Sequence, residues 1–353
     1  MHHRSLRAML IALVLAIAAF GITACGDDNE ESAGGGSAAT TTAAEEPKGK
    51  PIKVGVVTDI GGLNDRSFNA LANKGLQQAI KELGVQGRVL ISKSNADYVP
   101  NLSTLAQQKY DLIIPVGFLM AEATNTVATK FPEANFAIVD FPQGALKDKP
   151  ANVQGLLFKE NEAGYLAGYL AGLYTKDNDG SIGSVGGQKI PPVDAYIAGY
   201  RAGAEAANPG VKTLNGYSQD FIDQAKCKEI ALDQIAKGAK VVFQVAGQCG
   251  LGVIDAAKEK GVQAIGVDAD QGYLGAQVIT SALKKIDVAV FNVIKSAQDG
   301  AFKGATDTIA TVKSGGVGLG ELGAEGQMYA DQLKEISDQI AAGEIADIPN
   351  EVK

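Results

Sequence analysis

From Ile52 onward, short apolar runs alternate with stretches in which apolar positions recur at helical spacing. The runs IKVGVV, RVLIS, DLIIPV and NFAIVD are rich in Val and Ile and flanked by polar or turn-forming residues, so they read as buried strands. Between them helical periodicity sets in near Ser67, Pro100 and Ala121. A second series, SIGSV, VKTLNGY, KVVFQV and QAIGVD, interleaves with the helical stretches VDAYIAGYRAGAEAA, IDQAKCKEIALDQIA and LGVIDAAKEKG. Alternation of this kind predicts an α/β fold of two doubly wound lobes, each a parallel sheet covered by helices on both faces. No repeat of solenoid length is present in the sequence.

Between the two series, NVQGLLFKENEAGYLAGYLAGLYTK predicts a strand followed by a long helix. Its Gly164, Gly168 and Gly172 recur at i+4, a spacing that brings helices close in membranes, but Glu160, Glu162, Tyr165 and Tyr169 mark a soluble helix packed on the second sheet. The first lobe is therefore expected over residues 51–152 and the second over 153–268. Part of 269–306 should return to the first lobe and part of 307–353 to the second. Three chain crossings would then join the lobes at a hinge, with a cleft between them.

The N-terminus has a different pattern. Arg4 and Arg7 precede an apolar run from Met9 to Phe20, which suits a signal peptide over residues 1–24 and falls short of the roughly 20 apolar residues that span a bilayer. Ile22, Thr23, Ala24 and Cys25 fit a lipoprotein box, with Cys25 as the lipidated residue. Residues 25–50, GDDNEESAGGGSAATTTAAEEPKGK after the cysteine, hold almost nothing apolar and are expected to be a flexible tether. These features predict an extracytoplasmic protein held to the cell membrane by a lipid.

Composition then narrows the chemistry. The formal charge is −8 from 32 basic and 40 acidic residues; without Arg4 and Arg7 it is about −10, which disfavours nucleic acid as a partner. Both histidines, His2 and His3, lie in the leader, so the body has no imidazole for general-base catalysis or metal ligation. Neither a nucleophile elbow nor a phosphate loop is present. GLGELG, Gly318 to Gly323, matches a dinucleotide fingerprint in letters only, since too little chain follows it, and is expected to be a surface loop. KDNDGSIGSVG lacks the ends of a calcium loop and reads as a helix-to-strand turn.

In parallel sheets, ligands bind beyond the carboxyl ends of the strands. The residues there are Thr58 and Asp59, Gly117 and Phe118, Asp140, Gly186 and Gly187, Gly247, and Asp268. Taken singly, each acid is better explained as a helix cap or a surface ion pair. Together, three acids suit a ligand rich in N–H or O–H donors, and the glycines permit close backbone approach. The stretch TDIGGLNDRSFN adds Asn64, Asp65, Phe68 and Asn69. Phe68 is either core or cleft. The helix already has an apolar face in Leu71, Gly75, Leu76, Ala79 and Ile80, which leaves Phe68 free to face the cleft, although spacing alone does not dismiss the core.

VGVVTDIGGLNDRSFN, FPEANFAIVD, FKENEAGYLAGYLAG, VAGQCGLGVIDAAKEKG, IGVDADQ and SALKKID occur in that order and together resemble the basic membrane protein family of substrate-binding lipoproteins, which includes the purine nucleoside receptors of ABC importers. The resemblance covers the body from about Ile52. It implies a type I periplasmic-binding-protein fold that closes on its ligand, no enzymatic activity, no cofactor, and ABC permease subunits as partners of a monomeric receptor. Carried over by position, base-stacking aromatics fall on Phe68 and Phe221, base-edge contacts on Asp59, Asn69 and Asp140, and ribose contacts on Gly247, Asp268 and Lys284, with Lys285 as the adjacent alternative. Cys249 departs from the small or hydroxyl residue common in the family. The side-chain chemistry suits this ligand: aromatics stack on a base, carboxylates accept from its N–H groups, and an aspartate beside a lysine suits vicinal hydroxyls. The acids disfavour a nucleotide. A sugar bound by the same fold, or a surface receptor or adhesin, are the alternatives.

Cysteine arithmetic adds one expectation. Lipidation of Cys25 leaves Cys227 and Cys249 as an even pair in an oxidising compartment. Cys227 belongs to the first turns of a helix and Cys249 to the loop after the next strand, which lie at the same edge of a parallel sheet, so a disulfide is expected.

Overall fold

The alternation in KVGVV decides how the first lobe is layered. In β1 (Lys53–Val57), Val54 and Val56 pack on one side of the sheet and Val57 on the other, all fully buried, so both faces need a helical cover. The computed structural model describes residues 49–353; the leader, Cys25 and nearly all of the tether lie outside the described residues. After β1 come α1 (Phe68–Leu83), β2 (Gln86–Leu90), α2 (Tyr98–Gln107), β3 (Leu112–Pro115), α3 (Ala121–Lys130), β4 (Asn135–Val139) and β5 (Val153–Phe158). The second series is α4 (Glu160–Asn178), β6 (Ser181–Gly186), α5 (Pro191–Ala207), β7 (Thr213–Tyr217), α6 (Gln224–Ala236), β8 (Ala239–Val245), α7 (Leu251–Lys260), β9 (Gln263–Asp268) and β10 (Val278–Lys284). The chain ends with α8 (Ile286–Gln298), β11 (Thr306–Ala310), β12 (Val317–Leu319) and α9 (Ala330–Ala342).

Two six-stranded sheets result, ordered β11-β5-β4-β3-β1-β2 and β12-β10-β9-β8-β6-β7. All neighbours are parallel except β12, which is antiparallel to β10. The expected boundary at residue 152 is corrected by this pairing. NVQGLLF does not open the second lobe: β5 pairs with β4, Phe136 opposite Val153, and completes the first sheet. Its apolar run is satisfied on both faces only there, so the lobe ends at Phe158 and the first crossing is at Lys159. The second crossing follows β10, after which α8 packs on α1. That contact is intimate, since a Cβ on Gly75 would collide with the Asp287 carbonyl. The third, residues 311–316, leads from β11 in the first sheet to β12 in the second.

Two further expectations change. In α1 the buried stripe is Asn69, Ala72, Gly75, Leu76 and Ala79, with Leu71 and Ile80 at its margins. GLGELG is not a free loop. Gly318 and Leu319 lie in β12, and the Gly320 and Gly323 amides donate to the Ser281 and Ile279 carbonyls at 2.8 Å each. The glycines of α4 face α5: a Cβ on Gly164, Gly168 or Gly172 would overlap the carbonyl of Tyr196, Tyr200 or Ala204, and Gly199 and Gly203 of α5 meet Asn161 and Tyr165 in the same way. The close approach associated with membrane helices is therefore made here within one lobe. Among the described residues no helix is long and apolar enough to cross a membrane.

Candidate functional site

The carboxyl ends of both sheets open on one cleft with about 610 Å³ of atom-free space, part of it continuous with solvent. Asp59, Phe68, Asn69, Asp140, Phe221, Gly247, Asp268 and Lys284 all line it. Residues far apart in sequence are thus brought together.

On the first lobe, Gly61 and Gly62 adopt φ of 108° and 64° and turn the chain sharply after β1. The Asp65 carboxylate accepts from the amides of Ser67 (3.1 Å), Asn69 (2.6 Å) and Ala70 (3.1 Å). It caps α1, which fixes Phe68 and Asn69 at the helix start. Asn64 lies on an outer groove and not in the cleft. Asn69 Oδ1 accepts from the Asp59 amide at 2.8 Å, leaving its Nδ2 with only a 3.5 Å contact to the Ile60 carbonyl. Asp59 Oδ1 accepts from the Tyr98 hydroxyl and from the Ile60 amide. Its Oδ2 is left over, and lies where a Cβ on Gly117 would come within 2.6 Å. Burial pushes the Asp59 carboxyl up to about 6 against the pull of these donors, so it is mostly an ionised acceptor at neutral pH.

On the second lobe, Cys227 in the first turn of α6 is disulfide-bonded to Cys249 after β8, with Cα atoms 5.6 Å apart. The Cys249 amide donates to the Phe221 carbonyl at 3.0 Å, so the bond ties the Phe221 loop to the Gly247 loop. Gly187 has no Cβ where the Phe221 ring lies, and the close approach read from its position is that of this ring. Asp268 Oδ2 accepts from the Ser67 hydroxyl at 2.7 Å, across the cleft, and the Tyr196 hydroxyl stands 3.4 Å from Oδ1. Burial pushes Asp268 up to about 6, partly offset by Lys284.

Lys284, 2% exposed, ends β10. Its ammonium donates to Asp140 Oδ1 at 2.8 Å and Oδ2 at 2.7 Å, and lies 2.8 Å from Glu160 Oε1. The rings of Phe68, Phe158 and Tyr196 surround it at 5.5, 5.1 and 5.7 Å. Burial alone would lower its pKa, but Asp140, Glu160 and Asp268 outweigh that and hold it above the ordinary lysine value. Lys285 precedes α8 and lines a different groove, so Lys284 is the cleft lysine. Assigning Asp140 to a base edge and Lys284 to a ribose separates two groups that are in contact. Both Asp140 oxygens are engaged by Lys284, and the pair presents itself as one unit.

Sequence reasoning missed Tyr98, Tyr196 and Glu160 as part of this constellation. Tyr196 had a signal: Pro191 and Pro192 mark the start of the first helix after β6, the counterpart of the helix that carries Phe68. Glu160 had none, because its partner is distant in the chain. Among the described residues no group of three or more His, Cys, Asp or Glu is arranged to hold a metal.

The sequence-family model described as ABC transporter substrate-binding protein PnrA-like matches residues 52–347. An uncharacterized lipoprotein of Pyrococcus abyssi is 36% identical over 317 residues, 86% of this chain and 76% of its own. The ABC transporter nucleoside-binding protein BmpA of Lactococcus lactis subsp. cremoris is 37% identical over 291 residues, 76% of this chain and 81% of its own. In structure, a solute-binding protein of an ABC transporter system from Aeropyrum pernix K1 superposes with a TM-score of 0.77 at 29% identity, covering 85% of this chain and 94% of that one. With two α/β lobes closed over a buried cleft and a family match spanning nearly the whole body, the chain belongs to the PnrA-like family of ABC transporter substrate-binding proteins, whose work is binding and not catalysis.

Proposed function

We propose that the protein binds a nucleoside, with a purine as its base, and delivers it to the permease of an ABC importer. The observation that carries this reading is the pair of phenylalanines contributed by opposite lobes, Phe68 from α1 and Phe221 from the loop before α6, to a cleft whose one lining cation is already matched by carboxylates. Two aromatic rings suit the two faces of a flat base, at about 1–3 kcal/mol per stacked base. With Lys284 neutralised by Asp140 and Glu160, the lining suits a neutral nucleoside better than a nucleotide. Asp59 Oδ2 and Asn69 Nδ2 supply an acceptor and a donor for the base edge, and Asp268, the Gly247 loop and the Lys284–Asp140 pair serve the ribose. The nucleoside-binding name of the Lactococcus relative supports the same choice.

A ligand touching both lobes binds the closed state more tightly than the open one, and that difference drives closure. We place the receptor, as a monomer, on the extracytoplasmic face of the cell membrane, anchored through lipidated Cys25. The lipoprotein name of the Pyrococcus abyssi relative supports the anchor. Thermal unfolding of ligand-free protein with nucleosides, free bases and sugars tests the ligand. The true ligand at about 100 times its Kd should add roughly 2.7 kcal/mol of stability. Stabilisation by a sugar and by no nucleoside would overturn the reading.

A further inference from the structure

Glu160 lies outside the ligand-contact set, yet it is buried and touches the cleft's one cation. We propose that Glu160 is a positioning residue that holds Lys284 in the second lobe whether the cleft is open or closed, while Asp140 joins Lys284 only on closure. The inference deepens the nucleoside-binding reading and rests on it for its ligand arm alone.

The argument is one of lobe membership. Lys284 ends β10 of the second sheet, and Glu160 is the first residue of α4, which packs on β10 and β12. Asp140 follows β4 of the first sheet. Separating the lobes therefore lengthens the Lys284–Asp140 pair and leaves Lys284–Glu160 intact. Opening also withdraws Phe68, which starts α1 of the first lobe, so Phe158 beside the hinge, Tyr196 and Glu160 are the neighbours that remain. An ammonium kept partly desolvated without a counter-ion is costly, and Glu160 is the group placed to prevent that. In the closed cleft the three ammonium hydrogens face Asp140 Oδ1, Asp140 Oδ2 and Glu160 Oε1. A ligand hydroxyl can take one of the two Asp140 bonds while Glu160 keeps the lysine aimed.

The test follows the acylation rate of Lys284 against pH in full-length, ligand-free protein, read by peptide mass spectrometry. Asp140, Glu160 and Asp268 with the Tyr196 hydroxyl face Lys284 in the closed cleft. Only the neutral amine of the open state reacts, from which Asp140 has withdrawn, so the profile midpoint reports Glu160 and Asp268 with the Tyr196 hydroxyl. Glu160→Gln should lower the midpoint by about one pH unit or more, the shift expected for losing an opposite charge in contact. Asp140→Asn should raise the rate by favouring opening and leave the midpoint in place. A midpoint unmoved by Glu160→Gln, or moved as far by Asp140→Asn, overturns the proposal. Should Glu160→Gln fail to fold, Glu160→Asp gives a smaller shift of the same sign. In a second arm, Glu160→Gln should weaken nucleoside binding about thirtyfold or more, and add nothing in a Lys284→Met background. Independent, multiplying losses would count against it. If wild-type protein binds no nucleoside, the functional reading fails and the acylation profile still decides this one.

Discussion

Strand order β5-β4-β3-β1-β2 in the first sheet repeats as β10-β9-β8-β6-β7 in the second, and in each lobe the fourth strand leads into an aspartate with left-handed backbone, Asp140 at φ 67° and Asp268 at φ 60°. These equivalent residues reach across the cleft in opposite directions. Asp140 of the first lobe meets the Lys284 ammonium of the second, and Asp268 of the second meets the Ser67 hydroxyl of the first. Repetition of the wiring thus supplies two matched carboxylates, and the residues opposite them make one link charged and the other not. The rims differ in the same spirit. The first lobe's ligand loop is held by hydrogen bonds from backbone amides to the Asp65 carboxylate and the Asn69 side-chain oxygen, the second lobe's by a covalent staple.

The charged link should be the most expensive to break. Lys284→Met leaves Asp140 and Glu160 buried without a cation and should cost about 3–5 kcal/mol in denaturant unfolding; a loss below about 1 kcal/mol would make the two links equivalent. Removing the staple comes next. Replacing Cys227 and Cys249 by Ser opens a link of sequence separation 22, for which about 3 kcal/mol is expected, and should also weaken ligand binding through the loosened Phe221 loop. If calorimetry finds affinity intact, the staple serves the fold alone. Phe68→Ala and Phe221→Ala, one from each rim, should each weaken nucleoside binding by about 1–3 kcal/mol, measured by titration, with the protein still folded. A collapsed melting temperature and unchanged affinity for Phe68→Ala would place that ring in the core. Smallest is the uncharged link: Ser67→Ala should cost about 1.5 kcal/mol of ligand affinity, visible as roughly tenfold faster dissociation in stopped flow. An effect equal to that of Lys284→Met would erase the distinction.

Most of this architecture is local in origin and so was legible. Apolar runs of strand length, helix starts and the residues after each strand follow from patterning, which is why Asp59, Asp140, Gly247 and Asp268 converge on one cleft, where Phe221 and Lys284, implied by the family resemblance, join them, and why a helix start and a strand end predicted the Cys227–Cys249 bond. Membership of a sheet is not local. β5 reads the same whichever sheet it joins, and only its register with β4 decides. β12 is three residues long and glycine-rich, so nothing in GLGELG announces a strand until β10 is beside it. The same holds at the site: Lys284 stands 144 residues from Asp140, and their pairing is a product of lobe closure that no spacing encodes.

Seating α4 backbone-to-backbone on α5 makes the two helices a single stiff beam. One end of the beam, Glu160, adjoins the crossing at Lys159, and the other helix of the pair carries Tyr196 into the cleft wall. A methyl group at Gly168, about two helical turns from Glu160, would act as a wedge beneath the Tyr200 carbonyl and tilt that wall. The position of that wall is thus set in part by glycines that touch no part of the cleft.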